Sequence, residues 1–268
     1  GKHLPKKVSS YLSNFLRVLS KPQRKYFPIY LAGLLFLVKF RSIREIATEF
    51  GDANTDGLHQ FLTASPKKVQ RLQGENQRQI VESETSQDTL LIIDDTPCPR
   101  DGKKIEGSGI HHGADGFIRG LCAVTSILKV GTQRLVWAIR GYRPKKTSPK
   151  GTFKSKVQIA IEILTEAIQT FPVKLTVLMD AWYTCAPILN LIIQGGWNFL
   201  AAIKRNRIVE VNGKKTSLSR LAKGRRKYKT IRASKKRRFQ AAKLLIHLPK
   251  IGTVLLFIFK SKCNRIIK

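Results

Sequence analysis

Apolar residues over the first eighty positions recur at spacings of three and four. Val8, Leu12, Phe15, Leu16 and Leu19 form one such series and predict a helix with a single buried face. Pro22 suits the first turn of a second helix, and 30–40 predicts a longer apolar one. Ser42, followed three residues later by Glu45, is a capping-box pattern that opens a helix at Ile43-Arg44-Glu45-Ile46-Ala47, and Gly51 ends it. Leu58-His59-Gln60-Phe61-Leu62 and Val69-Gln70-Arg71-Leu72 add two short helical pieces. Residues 1–84 therefore read as a small helical domain.

Beyond this point the period shortens. Leu90-Leu91-Ile92-Ile93 is an apolar run leading into Asp94-Asp95-Thr96, a short strand buried on both faces, with Pro97 expected to end it. A glycine-rich connection over 102–116 follows. Residues 121–130 and 134–140 then predict a hairpin closed around Gly131-Thr132. A polar loop over 144–151 leads to an amphipathic helix over 157–171. Leu175-Thr176-Val177-Leu178-Met179-Asp180 repeats the pattern of an apolar strand closing on an acid. A helix over 187–194, stopped by Gly195-Gly196, and a strand over 198–204 complete the series. Strand, strand, strand, helix, strand, helix, strand is the layout of a ribonuclease H-like domain, a mixed α/β sheet whose first and fourth strands lie side by side. Residues 85–206 are assigned to it, and 207–268 to a basic, β-rich segment.

Charge changes the picture more than length does. Lys and Arg number 50 against 17 Asp and Glu, a net charge of +33. Such a surface repels itself unless it meets a polyanion, and nucleic acid is the usual one. A membrane surface competes for that role, but the longest apolar run, 27–38, is too short to span a bilayer. Lys2, Lys6 and Lys7 precede no signal-like core, so the protein is expected inside the cell. Helical bundles with basic faces hold DNA or serve only for docking, and residues 1–84 fit either use. Cys98, Cys122, Cys185 and Cys263 make no C-x-x-C pair and indicate neither a zinc ribbon nor a disulfide framework. His111 and His112 are adjacent, would point to opposite faces of a strand, and are expected in a solvated turn beside Gly113.

The two strand-terminal acids carry the chemistry. Open α/β sheets place their sites at the carboxyl ends of strands. With the strands adjacent, Asp95 and Asp180 would face each other and repel unless a cation lay between them. Mg²⁺, which prefers carboxylate oxygens and water, is the economical occupant.

The segments Ser20-Lys21-Pro22-Gln23-Arg24, Tyr30-Leu31-Ala32-Gly33-Leu34-Leu35, Ile43-Arg44-Glu45-Ile46-Ala47 and Leu58-His59-Gln60-Phe61-Leu62 precede Ile93-Asp94-Asp95-Thr96 and Asp180-Ala181-Trp182-Tyr183. In that order, and with the basic charge, nearly the whole chain resembles a bacterial or archaeal insertion-sequence transposase of the DDE superfamily, in the subgroup with a β-rich insert before the third acid. The resemblance implies that Asp95, which precedes Thr, and Asp180 are catalytic metal ligands, while Asp94 points to the other face and braces a basic side chain or the turn. It further implies two Mg²⁺ ions, with Mn²⁺ as a substitute, and phosphoryl transfer without a covalent enzyme–DNA intermediate. Its partners would be the double-stranded DNA of element ends and target, met by a homodimer on paired ends, and its location the prokaryotic cytoplasm, at the nucleoid.

One feature of the pattern is missing. The family's third acid is a Glu on a helix after the insert, whereas the only acid beyond Asp180 here is Glu210, in a setting that predicts a strand entering a turn and an exposed side chain. The chain is therefore expected to be cut inside its insert and impaired as an enzyme. The same stretch holds 22 Lys and Arg. Lys204, Arg205, Arg207, Arg225, Arg226, Lys227, Lys229, Lys235, Lys236, Arg237 and Arg238 are assigned to DNA phosphates, with Trp197, Tyr228 and Phe239 available for stacking. Three functions remain: a transposase, a DNA-binding remnant without catalysis, and a ribonuclease H-like nuclease acting on RNA–DNA hybrids. The last is disfavoured because it needs neither the helical leader nor the basic insert.

Overall fold

The computed structural model describes residues 6–37, 42–50, 54–63, 65–82, 89–102, 104–113, 116–225, 227–232, 238–260 and 266–267. The chain divides into two compact units, Gly1–Glu84 and Thr85–Lys268.

The first unit is helical: α1 (Lys6–Arg17), α2 (Lys21–Phe36), α3 (Ile43–Glu49), α4 (Thr55–Leu62) and α5 (Pro66–Glu82). The capping box at α3 forms, with the Ser42 Oγ accepting from the Glu45 amide and the Ser42 amide donating to the Glu45 carboxylate. The two helices expected on either side of Pro28 are one continuous α2. Loss of a single ladder bond at Pro28 is outweighed by packing, because α2 lies close against α3. A β-carbon on Gly33 would come within 2.5 Å of the Ile46 side chain. Ile46 and Leu58, both buried, anchor this core among Tyr26, Ile29, Tyr30, Leu37, Ile43, Ala47 and Phe50. The short helical piece expected near Val69 is the middle of the longer α5.

The second unit contains the ribonuclease H-like sheet: β1 (Leu90–Pro99), β2 (Gly109–Gly113), β3 (Gly116–Val130), β4 (Gln133–Tyr142), β5 (Thr176–Met179) and β6 (Asn198–Ala201), with α6 (Lys156–Thr170) and α7 (Ala186–Gln194) as crossovers. The sheet order is β2-β3-β1-β5-β6, with β4 also paired to β3. β3 runs antiparallel to β1, whereas β5 is parallel to both β1 and β6. The first strand and the one after the first long helix are thus neighbours, as the order of elements predicted.

Two departures have local causes. Pro97 does not end β1, which continues to Pro99. β5 stops at Met179, opposite Ile93, so the remainder of β1 has β3 on one side and an open flank on the other, and a proline facing that flank forfeits no ladder bond. His111 and His112 do not lie in a turn but on β2, inside the glycine-rich connection. His111 is buried, with Nε2 at 3.2 Å from the Gly120 carbonyl, and His112 is exposed on the opposite face.

Gly120 leaves no room for a side chain between β3 and β1. A β-carbon there would meet the Cys98 carbonyl oxygen at 2.0 Å and the Arg100 amide at 2.9 Å, both backbone atoms that cannot swing aside. Gly120→Ala is expected to cost about 2 kcal/mol or more by forcing these strands apart. A denaturant midpoint unchanged from wild type would exclude this.

The two faces of this sheet differ. Leu91, Ile93, Val124, Leu128, Val177 and Met179 are buried, and α6 adds Ile159, Ala160, Ile163, Leu164 and Ala167 to the core. On the alternate face Val136, Ile139 and Leu200 are exposed.

After β6 the basic segment forms a second sheet within the same unit. Its strands are β7 (Ile208–Val211), β8 (Lys214–Ser217), β9 (Lys229–Arg232), β10 (Arg238–Leu248), β11 (Gly252–Lys260) and β12 (Ile266–Ile267), with α8 (Leu218–Gly224) between β8 and β9. The order is β12-β11-β10-β7-β8, with β9 paired to β10. Glu210 lies on β7, half-buried rather than exposed, with Lys215 and His247 as its register partners.

Candidate active site

β1 and β5 run parallel with Ile93 paired to Met179. Asp94 follows Ile93 on β1 and Asp180 follows Met179, the last residue of β5, so both acids stand where the parallel pairing ends. Alternation assigns the neighbouring acid to the other face. Leu91, Ile93 and Asp95 share one side of β1, the side closed by the core, while Ile92, Asp94 and Thr96 share the open side. Continued by one step, that register gives Asp94 the open side, where it feels the charge of Asp180, and gives Asp95 the covered side.

Each acid has a distinct environment. Asp180 Oδ1 accepts from the Trp182 amide at 2.7 Å and the Tyr183 amide at 3.3 Å, which fixes the carboxylate against its own turn. Thr184 Oγ1 donates to the carbonyls of Asp180 and Ala202 at 2.8 and 2.6 Å, tying that turn to the segment after β6. Asp94 Oδ1 accepts from the Asp95 amide at 2.8 Å, and its carbonyl accepts from Thr125 Oγ1 at 3.1 Å. Although Asp94 is exposed as a residue, partial desolvation of its carboxyl raises its pKa above the ordinary 3.8. The charges of Asp95 and Asp180 raise it further, against the Asp95 amide and Lys156, which lower it.

On the covered side Asp95 is an ion-pair member. Lys156, the first residue of α6, bonds Asp95 Oδ2, and both side chains are less than one-fifth exposed. Cys122 Sγ lies 3.6 Å from the same oxygen, and the Tyr183 hydroxyl 3.5 Å from Oδ1. Burial pulls the Lys156 ammonium down, but the bond to Asp95 and its charge outweigh burial and leave its pKa raised. Tyr183, fully buried, is pushed far up by desolvation and by Asp95. The Cys122 thiol is likewise pushed up, by burial first.

A divalent cation suits the open side of this arrangement. Asp94 and Asp180 are hard oxygen donors in an exposed position, and their mutual repulsion is what a cation would relieve. No group of three or more His, Cys, Asp or Glu side chains arranged to hold a metal ion occurs among the described residues, so water or further donors would complete the coordination.

The raised Asp94 pKa has a consequence for stability. An ionised Asp94 opposes folding in full above its raised value, and the penalty disappears below 3.8, where folded and unfolded states are both protonated. Asp94→Asn is therefore expected to raise the Tm of metal-free protein at neutral pH, by less than about 1 kcal/mol for so exposed a group. The gain should shrink as pH falls into the carboxyl range. A gain that grew on acidification would reverse the assigned sign.

Of the expected phosphate contacts, Lys204, Arg205 and Arg207 follow β6, close in sequence to the Thr184–Ala202 tie, and Arg207 Nη1 donates to the Thr184 carbonyl at 3.0 Å. Arg225 and Lys227 lie between α8 and β9, Lys229 opens β9 and Arg238 opens β10. Arg226, Lys235, Lys236 and Arg237 fall outside the described residues. Of the three residues assigned to stacking, Trp197 is buried, against Phe171, and is unavailable for it. Tyr228 donates from its hydroxyl to the Ala222 carbonyl at 3.2 Å, and Phe239 lies on β10. Cys98, Cys122 and Cys185 are free thiols, and Cys263 lies outside the described residues.

Sequence reasoning set Asp95 against Asp180; the period-two burial of Leu91 and Ile93 puts Asp95 on the covered side of β1 and Asp94 on the open one. It also missed Lys156, for which no local signal exists, since the residue lies sixty-one positions from Asp95. The aromatic beside the acids is the exposed Trp182, with Lys204 Nζ 4.7 Å from its ring centroid.

The family model described as DDE superfamily endonuclease matches residues 14–246. A probable transposase for insertion sequence element IS701 from Microchaete diplosiphon is 28% identical over 214 residues, which cover 75% of this chain and 53% of that protein. The chain thus spans about half the length of this curated relative. Among solved structures, a piggyBac transposase chain from a synaptic complex with hairpin DNA aligns with a TM-score of 0.47 and 10% identity, over 89% of this chain and 52% of that one. No helix among the described residues is long and apolar enough to cross a membrane.

Proposed function

Given that this chain belongs to the DDE superfamily endonucleases, a family match that takes in most of its length, we propose that it cleaves and joins DNA strands at insertion-sequence ends. The observation that carries this reading is the parallel pairing of β1 with β5, Ile93 opposite Met179, with an acid following each of these two residues. Asp94 and Asp180 are the ligands we assign to a divalent cation. Mg²⁺ is the physiological choice for an all-oxygen, water-completed site, with Mn²⁺ able to replace it. A cation held there supplies Lewis acidity, lowering the proton affinity of an attacking water or 3′-hydroxyl and offsetting charge on the leaving oxygen.

The chain's own residues do the positioning. Backbone amides of Trp182 and Tyr183 hold Asp180 in one orientation, so its charge is in place before DNA arrives. Asp95, kept by Lys156 on the covered face, stiffens the strand segment that presents Asp94. Lys204 and Arg205 follow the strand end that is tied to the Asp180 turn, where they can meet phosphates without reading sequence. The reaction is an in-line displacement: one P–O bond forms from the attacking oxygen as another breaks, and no side chain becomes covalently linked.

The test is nicking and strand transfer on duplexes carrying the element ends, with Mg²⁺ or Mn²⁺ and with chelator. Cation-dependent products support the reading. Salt-sensitive binding with no cleavage under any cation would favour the second reading, a DNA-binding protein without catalysis. Assembly as a homodimer on paired ends belongs to the same proposal and is read from the mass of the DNA complex.

A further inference from the structure

Trp182 is in an unusual position for so large an apolar side chain. It stands two residues after Asp180, its amide bonded to that carboxylate, yet its side chain is mostly outside the core, at 58% exposure. The next residue, Tyr183, is fully buried and does the packing for this turn. The Trp182 ring therefore contributes little to folding, and leaving it in water carries a cost that a partner would remove. Lys204 Nζ lies 4.7 Å from the ring centroid, which combines a flat apolar surface with a positive charge. The turn beneath is held firmly, through the Thr184 bonds to Asp180 and Ala202 and through Arg207 to the Thr184 carbonyl. A rigid aromatic face, a lysine beside it and the Asp180 carboxylate bonded to the Trp182 amide lie together.

We propose that Trp182 and Lys204 form a subsite for an unpaired nucleotide adjacent to the scissile phosphate, the base stacking on the indole and its phosphate meeting the lysine. This deepens the proposed function and rests on its assignment of DNA as substrate. Base-on-aromatic stacking is indifferent to base identity, so the subsite would recognise loss of pairing rather than sequence. It would hold a strand end apart from its complement, leaving the phosphodiester open to the acids.

The experiment compares binding of two duplexes, one fully paired and one with a single unpaired 2-aminopurine, by wild type, Trp182→Ala, Trp182→Phe and Lys204→Gln. Wild type is expected to prefer the unpaired duplex and to quench its fluorophore. Trp182→Ala should lose about 5- to 100-fold in affinity for the unpaired duplex and lose the quenching, with binding of the paired duplex unchanged. Trp182→Phe should restore most of both. Lys204→Gln should weaken both duplexes alike and reduce the salt slope by about one. Because the indole is exposed, circular dichroism should show all variants folded. Preference and quenching retained in Trp182→Ala would overturn the subsite while leaving DNA as the substrate. Failure of wild type to bind either duplex would overturn the proposed function and the subsite with it. Normal DNA binding by Trp182→Ala with loss of self-association would assign the indole to a protein contact and refute the subsite.

Discussion

Asp94→Asn and Asp180→Asn should each lower cation-dependent strand cleavage by on the order of 10³-fold or more, while Asp95→Asn lowers it far less and does so through stability. The difference follows from the alternation of a strand. Asp94 and Asp95 are consecutive and so point to opposite faces, and the pairing of Ile93 with Met179, continued by one step, is the basis on which we assign Asp94 to the side of Asp180. Asn keeps the shape of Asp and most of its hydrogen bonding, but removes the charge that a cation binds. In Asp94→Asn and Asp180→Asn, the thermal stabilisation that Mn²⁺ gives wild type should vanish, since a ligand that no longer binds the native state cannot stabilise it. In Asp95→Asn that stabilisation should persist. Cleavage and Mn²⁺ stabilisation lost in Asp95→Asn but kept in Asp94→Asn would transfer the role to Asp95.

Lys156→Met is expected to be the most destabilising single change in this region, by about 3 kcal/mol, or roughly 10 °C in Tm for a unit of this size. The reason is the state in which it leaves Asp95. The pair is largely buried, with the lysine 17% and the aspartate 18% exposed. Removing the ammonium strands a carboxylate among the Cys122 thiol, the Tyr183 hydroxyl and the core. Lys156→Met combined with Asp95→Asn should recover most of the loss, because a neutral pair of similar volume carries no buried charge. The four proteins form a double-mutant cycle whose coupling energy measures the pair. The pH dependence has a defined sign. Lys156 is raised above its ordinary 10.5, so its stabilisation is complete below that value and is lost as pH rises through the raised one. Equal destabilisation by the single and the double variant would show that packing, and not charge, holds α6 to β1.

Both results turn on side-chain direction, the property that the sequence conveys least directly. Strand β1 could be found because four apolar residues run into two acids, and β5 because the pattern recurs. The family resemblance then singled out the acid before Thr96. Its neighbour Asp94 is the one that alternation places on the open face of β1. Pro97 illustrates a similar point. A proline ends a strand that has two neighbours, but β1 has lost one of its neighbours by that position, and only the sheet order reveals this. Strand β2 went unseen because glycine and histidine carry little strand preference, and its pairing with β3 supplies what its own residues do not.

What the amino-acid sequence determined unaided was the succession of elements, their caps and the acid at the end of each apolar strand, together with a charge that calls for a polyanion. These are local properties, set by the spacing of apolar residues and by total composition, and a chain displays them without being folded. The tertiary structure alone decided which acid of β1 lies on the covered face, that Lys156 neutralises Asp95, and that Trp182 stays in solvent while Tyr183 is buried. Those outcomes depend on strand register and on helix placement. Both are settled by contacts between residues dozens of positions apart, whose energies no local window contains.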